Sequence, residues 1–327
     1  MAAKSWKEWE SPLIELEEGI AKLKLLVAKE PDEAKRIEIV RRIKEYEARI
    51  ENYIDVKYAR LDPWEKVLVA RADKRPYALD YVNAIFSDFV ELDGDRRYGT
   101  DHAVIGGPAT LNGDPVMIIG QQKGRNIQER QYRNFAMAKP EGYRKAGRLM
   151  DMASRFGLPV VTIVDTPAAD PGVDSESRGI AEAIAASMVA MFELEVPVVT
   201  IVVGEGGSGG AMAIGVGNVV LMQEHAIYSV IPPEGCAAIL WRMPERGPEA
   251  AEALRLTAQS ALELGFIDEI VREPRGGAHR DPAQAAAIVR EAVVSHLAGL
   301  RKLSGAELRE KRYQKFRQMG VYATGQS

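Results

Sequence analysis

The chain has 327 residues, enough for one large domain or two modest ones. Its hydrophobic fraction of 46% and charged fraction of 28% suit a globular protein, and a net charge of −4 excludes a global pull toward nucleic acid. Cys236 is the only cysteine, which excludes a disulfide framework and a multi-cysteine zinc site within the chain. No apolar run approaches ~20 residues and the opening MAAKSWKEWE lacks the apolar core of a secretory signal, so a cytoplasmic protein without a membrane span is expected.

Residues 11–60 read as two helices. Leu13, Leu16, Ile20, Leu23 and Val27 recur at spacings of three and four, and Ile39, Ile43, Tyr46, Ile50 and Tyr53 repeat the pattern. Between them lies KEPDE, where Pro31 suits the first turn of the second helix. The stripes predict a helical hairpin over 1–60 that packs on the rest of the chain, 61–327, or on another chain. In LDPWEKVLVARA, Asp62 is a good N-cap, Pro63 a good first residue and Glu65 completes a capping box. The segment RPYALDYVNAIF reads as a further helix.

From about residue 103 strands and helices alternate. PVMIIG begins at Pro115, PVVTIVD at Pro159 and PVVTIVV at Pro197; the last two share six identical residues, 38 positions apart. Each is an uninterrupted apolar run, as for a strand buried on both faces, and each ends in a loop of small residues. NVVLM (218–222) and AIYSVI (226–231) are further strands, with helices at about 141–156, 176–193 and 249–264. This is a repeating strand-strand-helix unit, and the repeated strand ends should share one site.

The third loop, GEGGSGGAMAIG, fits three motifs. Gly204, Gly206 and Gly209 spell the dinucleotide fingerprint G-x-G-x-x-G, with Glu224 near the position of a ribose-binding acid. Only about seven residues precede the next strand, too few for the crossover helix that motif requires. Gly206, Ser208 and Gly210 spell the serine-hydrolase elbow G-x-S-x-G, for which Asp268 and His279 are in formal order among four histidines. Nothing else marks them as partners. A nest of backbone N–H groups at the strand end, centred on Gly206 and Gly207, asks least of side chains and gives an oxyanion site.

Taken together, RPYALDYVNAIFSDFVELDGDR, KPEGYRKAGRLM, VDTPAADPG, GEGGSGGAMAIGVG, YSVIPPEGCAAILW and GGAHRDP resemble the α subunits of bacterial acetyl-CoA carboxylase carboxyltransferases over essentially the whole chain. The resemblance implies a crotonase-like α/β spiral of strand-strand-helix units. It implies transfer of the carboxyl group of carboxybiotin, borne on a biotin carrier protein, to acetyl-CoA, giving malonyl-CoA for fatty acid biosynthesis. It also implies a β subunit carrying a four-cysteine zinc site, an α2β2 assembly, and biotin carboxylase in the larger complex, with no metal in this chain. Gly206 and Gly207 would donate N–H bonds to the biotin ureido oxygen, and Ala168 and Ala169 would supply donors from the second loop. Gly204, Gly209, Gly210, Lys123 and Arg125 would line the cofactor.

Several positions depart from the family pattern. Its D-T-P-G-A-Y-P-G loop has Ala168 for glycine and Asp170 for tyrosine here, and its H-Q-K-G-R-D has Gln121 and Asn126. A backbone donor survives at Ala168 only if φ is negative there. A paralogue acting on another acyl-CoA, or a hydrolase of the same fold using Ser208, are the alternatives. Segment 123–148 holds eight basic residues against Glu129 and Glu141, which suits CoA phosphates, a partner subunit or a solvated face.

Overall fold

A computed structural model of the chain describes residues 6–320. Helices Ser11–Val27 and Glu33–Tyr58 fold back on one another as the expected hairpin. Leu13, Ile20 and Leu23 share an apolar cluster with Ile43, Ile50 and Ile54. The cluster continues into Leu68 and Val69, so the hairpin seats on the rest of this chain. Pro31 lies outside the second helix and not in its first turn. Asp32 caps it instead, accepting from the N–H groups of Ala34 (2.9 Å) and Lys35 (3.3 Å), two donors that a proline there could not satisfy. The helix Pro63–Ala70 carries the full capping box of Asp62 and Glu65.

Seven strands form one sheet: β1 (Val104–Leu111), β2 (Asp114–Gln121), β3 (Val160–Thr166), β4 (Val198–Gly207), β5 (Val219–Gln223), β6 (Ile227–Ser229) and β7 (Glu269–Val271). Their order is β1-β2-β3-β4-β5-β7, with β6 also on β4; only β1 and β2 are antiparallel. The two PVVTIV copies are neighbours. Val160 pairs with Val198 and Val164 with Val202, so the 38-residue repeat is also the strand register. Alternate residues of β3 enter opposite apolar layers: Val160 and Val164 one, Val161 and Ile163 the other. Helices Pro140–Phe156 and Ile180–Glu193 cover the first face, Ala78–Ile85 and Pro282–Leu300 the second. Each such buried side chain contributes roughly 1.5–3 kcal/mol.

Two expected helices are broken. The stretch 176–193 divides into Val173–Ser177 and Ile180–Glu193 at Gly179, whose φ is +79°. The stretch 249–264 divides after Leu254, where Arg255 turns left-handed (φ +50°) and Thr257 caps Ala258–Glu263. Periodicity runs through such breaks because the apolar face is kept on both sides. Among the described residues no helix is long and apolar enough to cross a membrane.

Past Val164 and Val202 the register shifts, and Thr166 then lies opposite Gly206. β4 therefore carries two more residues than β3 over the same span. β5 pairs only with Val199–Val202, while β6 takes over at Glu205–Gly207. The strand ends splay, and this splay positions the candidate site.

Candidate active site

Gly206 and Gly207 are the last two residues of β4, not residues beyond it, because β6 prolongs the ladder. The glycines of this stretch have different reasons to be glycine. A Cβ on Gly204 would strike the Asp165 carboxylate, one on Gly206 the Tyr228 ring, and one on Gly207 the Pro167 carbonyl. A Cβ on Gly210 would lie 2.6 Å from the Ala169 nitrogen. Only Gly209 has ordinary room, with Ile184 at 3.6 Å. The glycine cluster thus lets the β4 end lie directly on the backbone of the β3 end.

The β3 end uses side chains. Thr166 Oγ1 lies 2.6 Å from the Ala136 carbonyl and 2.7 Å from that of Ala168, so its single proton serves one at a time; it also accepts from the Ala168 N–H (3.3 Å). Ala168 is outside the left-handed region, so alanine is unstrained there. The Ala169 N–H makes no hydrogen bond among the described residues. Gln121 ties the loops together: its Nε2 donates to the Gly210 carbonyl (2.7 Å) and its Oε1 accepts from the Asp165 N–H (3.2 Å). Asp170 accepts from Asn134 Nδ2 (3.1 Å) and Ser175 Oγ (2.5 Å). Burial pushes the Asp170 carboxyl up, but these bonds hold it below its usual range. Asn126 caps the helix Ile127–Tyr132. Gln121, Asn126 and Asp170 therefore have local structural roles, and Ala168 is accommodated without strain.

A buried ion network joins the two strand ends. Lys123 Nζ lies 2.7 Å from Asp165 and 2.9 Å from Glu205; Arg71 Nε lies 2.8 Å from the other Glu205 oxygen and its guanidinium also pairs with Glu234. Burial disfavours the Glu205 charge, but Lys123 and Arg71 outweigh it and bring the pKa to about 2. Burial keeps Asp165 above the usual range despite its share of Lys123. Beside the network is a cavity of about 270 Å³, lined by Arg71, Tyr77, Lys123, Arg130, Phe135, Pro167 and Glu205 among others. Asn134, Phe135 and Ala136 approach it in the left-handed region (φ 44°, 55° and 61°), at a strain of order 1–3 kcal/mol each.

Arg125 is exposed, stacks over Tyr77 (4.8 Å), pairs with Asp80 and does not line that cavity. The basic segment is largely matched within the chain and is not a solvated face. Arg130 meets Asp73, Arg144 meets Glu141 and Asp95, and fully buried Lys145 meets Asp93 (2.8 Å). Arg148 donates to the Leu92 and Gly94 carbonyls.

The rival motifs fail on geometry. Ser208 does sit in a strand–helix elbow with φ +52°. Yet His279 pairs with Glu10 and Tyr58, Asp268 with Lys315 and the Val220 N–H, and the other three histidines with Tyr132, Lys66 and Glu269. No histidine is placed to serve Ser208. The helix after the glycines spans only Ser208–Met212, and Glu224 pairs with Arg272. Reading by motif missed Asp165, Glu205, Arg71, Thr166 and Phe135. A usable signal was present for two of them: Asp165 directly follows one PVVTIV copy, and Glu205 follows the other by three residues. Among the described residues no group of three or more His, Cys, Asp or Glu could hold a metal ion.

Two of the solved structures similar to this chain illustrate its fold. One is a transcarboxylase 12S core with methylmalonyl-coenzyme A and methylmalonic acid bound (TM-score 0.58, 20% identity, 80% of this chain and 46% of that one). The other is a Pseudomonas malonate decarboxylase hetero-tetramer in complex with coenzyme A (TM-score 0.58, 18% identity, 72% and 91%). Both support the crotonase-like α/β architecture. Sequence relatives are nearer. An acetyl-coenzyme A carboxylase carboxyl transferase subunit alpha from Geobacter metallireducens is 51% identical over 323 residues, covering 99% of this chain and 100% of the relative. Its counterpart from Thermus thermophilus is 50% identical over 316 residues, covering 97% and 98%. The family model described as acetyl co-enzyme A carboxylase carboxyltransferase-like matches residues 6–320. With the motif order, the fold and the strand-end seam in agreement, the chain belongs to the α-subunit family of acetyl-CoA carboxylase carboxyltransferases.

Proposed function

We propose that this chain is the α subunit of a biotin-dependent transferase that moves a carboxyl group from carboxybiotin, on a carrier protein, to acetyl-CoA, giving malonyl-CoA for fatty acid synthesis. The observation that carries this reading is the seam of loops 166–170 and 206–210, where backbones meet and no side chain is poised as a base. Asp165 and Glu205, the carboxylates at the strand ends, are both held in ion pairs with Lys123. A Glu205 carboxylate with a pKa of about 2, held by Lys123 and Arg71, is too weak a base to take a proton from an acyl methyl group. When bound, carboxybiotin supplies the labile carboxyl group. This chain's part is to donate the N–H groups of Gly206, Gly207 and Ala169 to the developing ureido oxyanion and to exclude water. The Ala169 N–H, without a hydrogen-bond partner among the described residues, fits such an acceptor. Gly204, Gly209 and Gly210 shape the seam. Lys123 sets it through ion pairs, and Arg125 lies at its rim. A zinc-binding β subunit completes the acyl-CoA side in an α2β2 assembly served by the biotin carrier protein and biotin carboxylase.

The test is biotin-dependent decarboxylation of malonyl-CoA by the purified α–β pair. A wild-type pair without this activity refutes the carboxyltransferase reading. A Gly206→Val pair with unchanged activity refutes the donor assignment alone, since a side chain there meets the Tyr228 ring at the strand end.

A further inference from the structure

Asn134, Phe135 and Ala136 form a run of three consecutive residues, none of them glycine, with positive φ. L-residues visit that region singly, so a run of three persists only where its surroundings enforce it. Three of the four enforcing bonds reach loop 166–170. Asn134 Nδ2 donates to Asp170 and to the Met137 carbonyl (2.7 Å), Thr166 Oγ1 lies against the Ala136 carbonyl, and the Asp170 N–H donates to the Ala138 carbonyl (3.0 Å). Ala136 and Ala138 are fully buried, yet the ring between the clamps, Phe135, is 44% exposed. It forms one wall of the 270 Å³ cavity, with Tyr77 and Pro167 as further ring-bearing walls and with Arg71, Lys123 and Arg130 beside the Glu205 carboxylate that Arg71 and Lys123 share.

We infer that Phe135 is a ligand-contact residue that sets the fit of the carboxyl donor's ring system; this rests on the carboxyltransferase reading above. A small cavity with ring walls and a mixed-charge lining of Arg71, Lys123, Arg130 and Glu205 takes a compact ring system that carries polar groups. An extended acyl-CoA needs far more space than this cavity encloses. The clamped turn keeps the ring from folding inward, where an apolar side chain would otherwise go.

The experiment uses the complex of this chain with its zinc-binding partner subunit, free biotin and malonyl-CoA. Phe135→Ala should raise KM for biotin about tenfold, the scale of one lost ring contact, and leave KM for malonyl-CoA unchanged. Phe135→Leu should fall between, and Phe135→Tyr should keep the wild-type value. Should the alanine variant fold poorly, the leucine variant and calorimetric titration of biotin give the same comparison. A brace for the loop alone predicts lower kcat or lower Tm with KM for biotin unchanged. That result in an active complex overturns this inference and leaves the carboxyltransferase reading standing. A wild-type complex without biotin-dependent turnover overturns both.

Discussion

The strands ending at Thr166 and at Gly207 share the residues PVVTIV and lie side by side in register, yet their ends are built on different principles. The β3 end is held by side-chain bonds from Thr166, Asn134, Ser175 and Gln121, and its backbone keeps negative φ at Ala168. The β4 end is held by backbone-on-backbone approach, and glycine is required wherever another main chain or a ring occupies the Cβ position. A side-chain clamp tolerates alanine beside it; a close backbone contact does not. This explains how the glycine-to-alanine departure at 168 can coexist with an intact glycine cluster at 204–210.

Lys123 couples the two ends, so removing it should have the largest effect. Lys123→Met leaves Asp165 and Glu205 buried without their shared cation and should cost about 3–5 kcal/mol, read by urea unfolding. The same network sets a pH dependence. The folded pKa of Glu205 lies near 2, below the ordinary glutamate value of 4.5, so its contribution is present above pH 4.5 and lost as pH falls toward 2. Burial shifts Asp165 the opposite way, so it opposes part of that loss. Unfolding midpoints measured from pH 7 downward should show acid destabilisation that is weaker in a Glu205→Gln protein.

Gly207→Ala comes next. The new Cβ meets the Pro167 carbonyl, a backbone atom with little freedom to move, and should cost roughly 1–3 kcal/mol with loss of carboxyl transfer. Thr166→Val tests the other end. It removes the hydroxyl that serves Ala136 and Ala168 and should cost about 2 kcal/mol in Tm or urea measurements. The smallest effects should be Gly209→Ala, a gain, and Ala168→Gly, a loss, each of about 0.4–1 kcal/mol, because both backbones accept either residue. If Gly209→Ala proved as damaging as Gly207→Ala, the distinction among the glycines would fail.

Much of the fold was legible. The hairpin stripes, the Asp62 box and the strand runs are visible because each depends on residues a few positions apart. The helix breaks at Gly179 and Arg255 were not, since the apolar period continues across them. The glycine loop was recognisable as a site, and the nest of N–H groups was its favoured reading, although one of its motifs, G-x-S-x-G, also offered Ser208. What removed the serine reading was the placement of four histidines, each engaged elsewhere. Charge alone left segment 123–148 open between CoA phosphates, a partner subunit and a solvated face, and its carboxylate partners come from residues as distant as Asp73 and Glu205.

By itself the sequence determined the local grammar: the hairpin stripes, the Asp62 capping box, the buried strand runs, and that two copies of one strand are offset by 38 residues. Only the tertiary structure decided that β6 would prolong β4 through Gly207, that Lys123 would join Asp165 to Glu205, and that residues 134–136 would be forced left-handed. Helix caps and apolar periods are settled by neighbours in the chain. Ion pairs and forced φ values depend on groups 30 to 134 positions away, and they exist only once packing has closed those loops and removed water from between them.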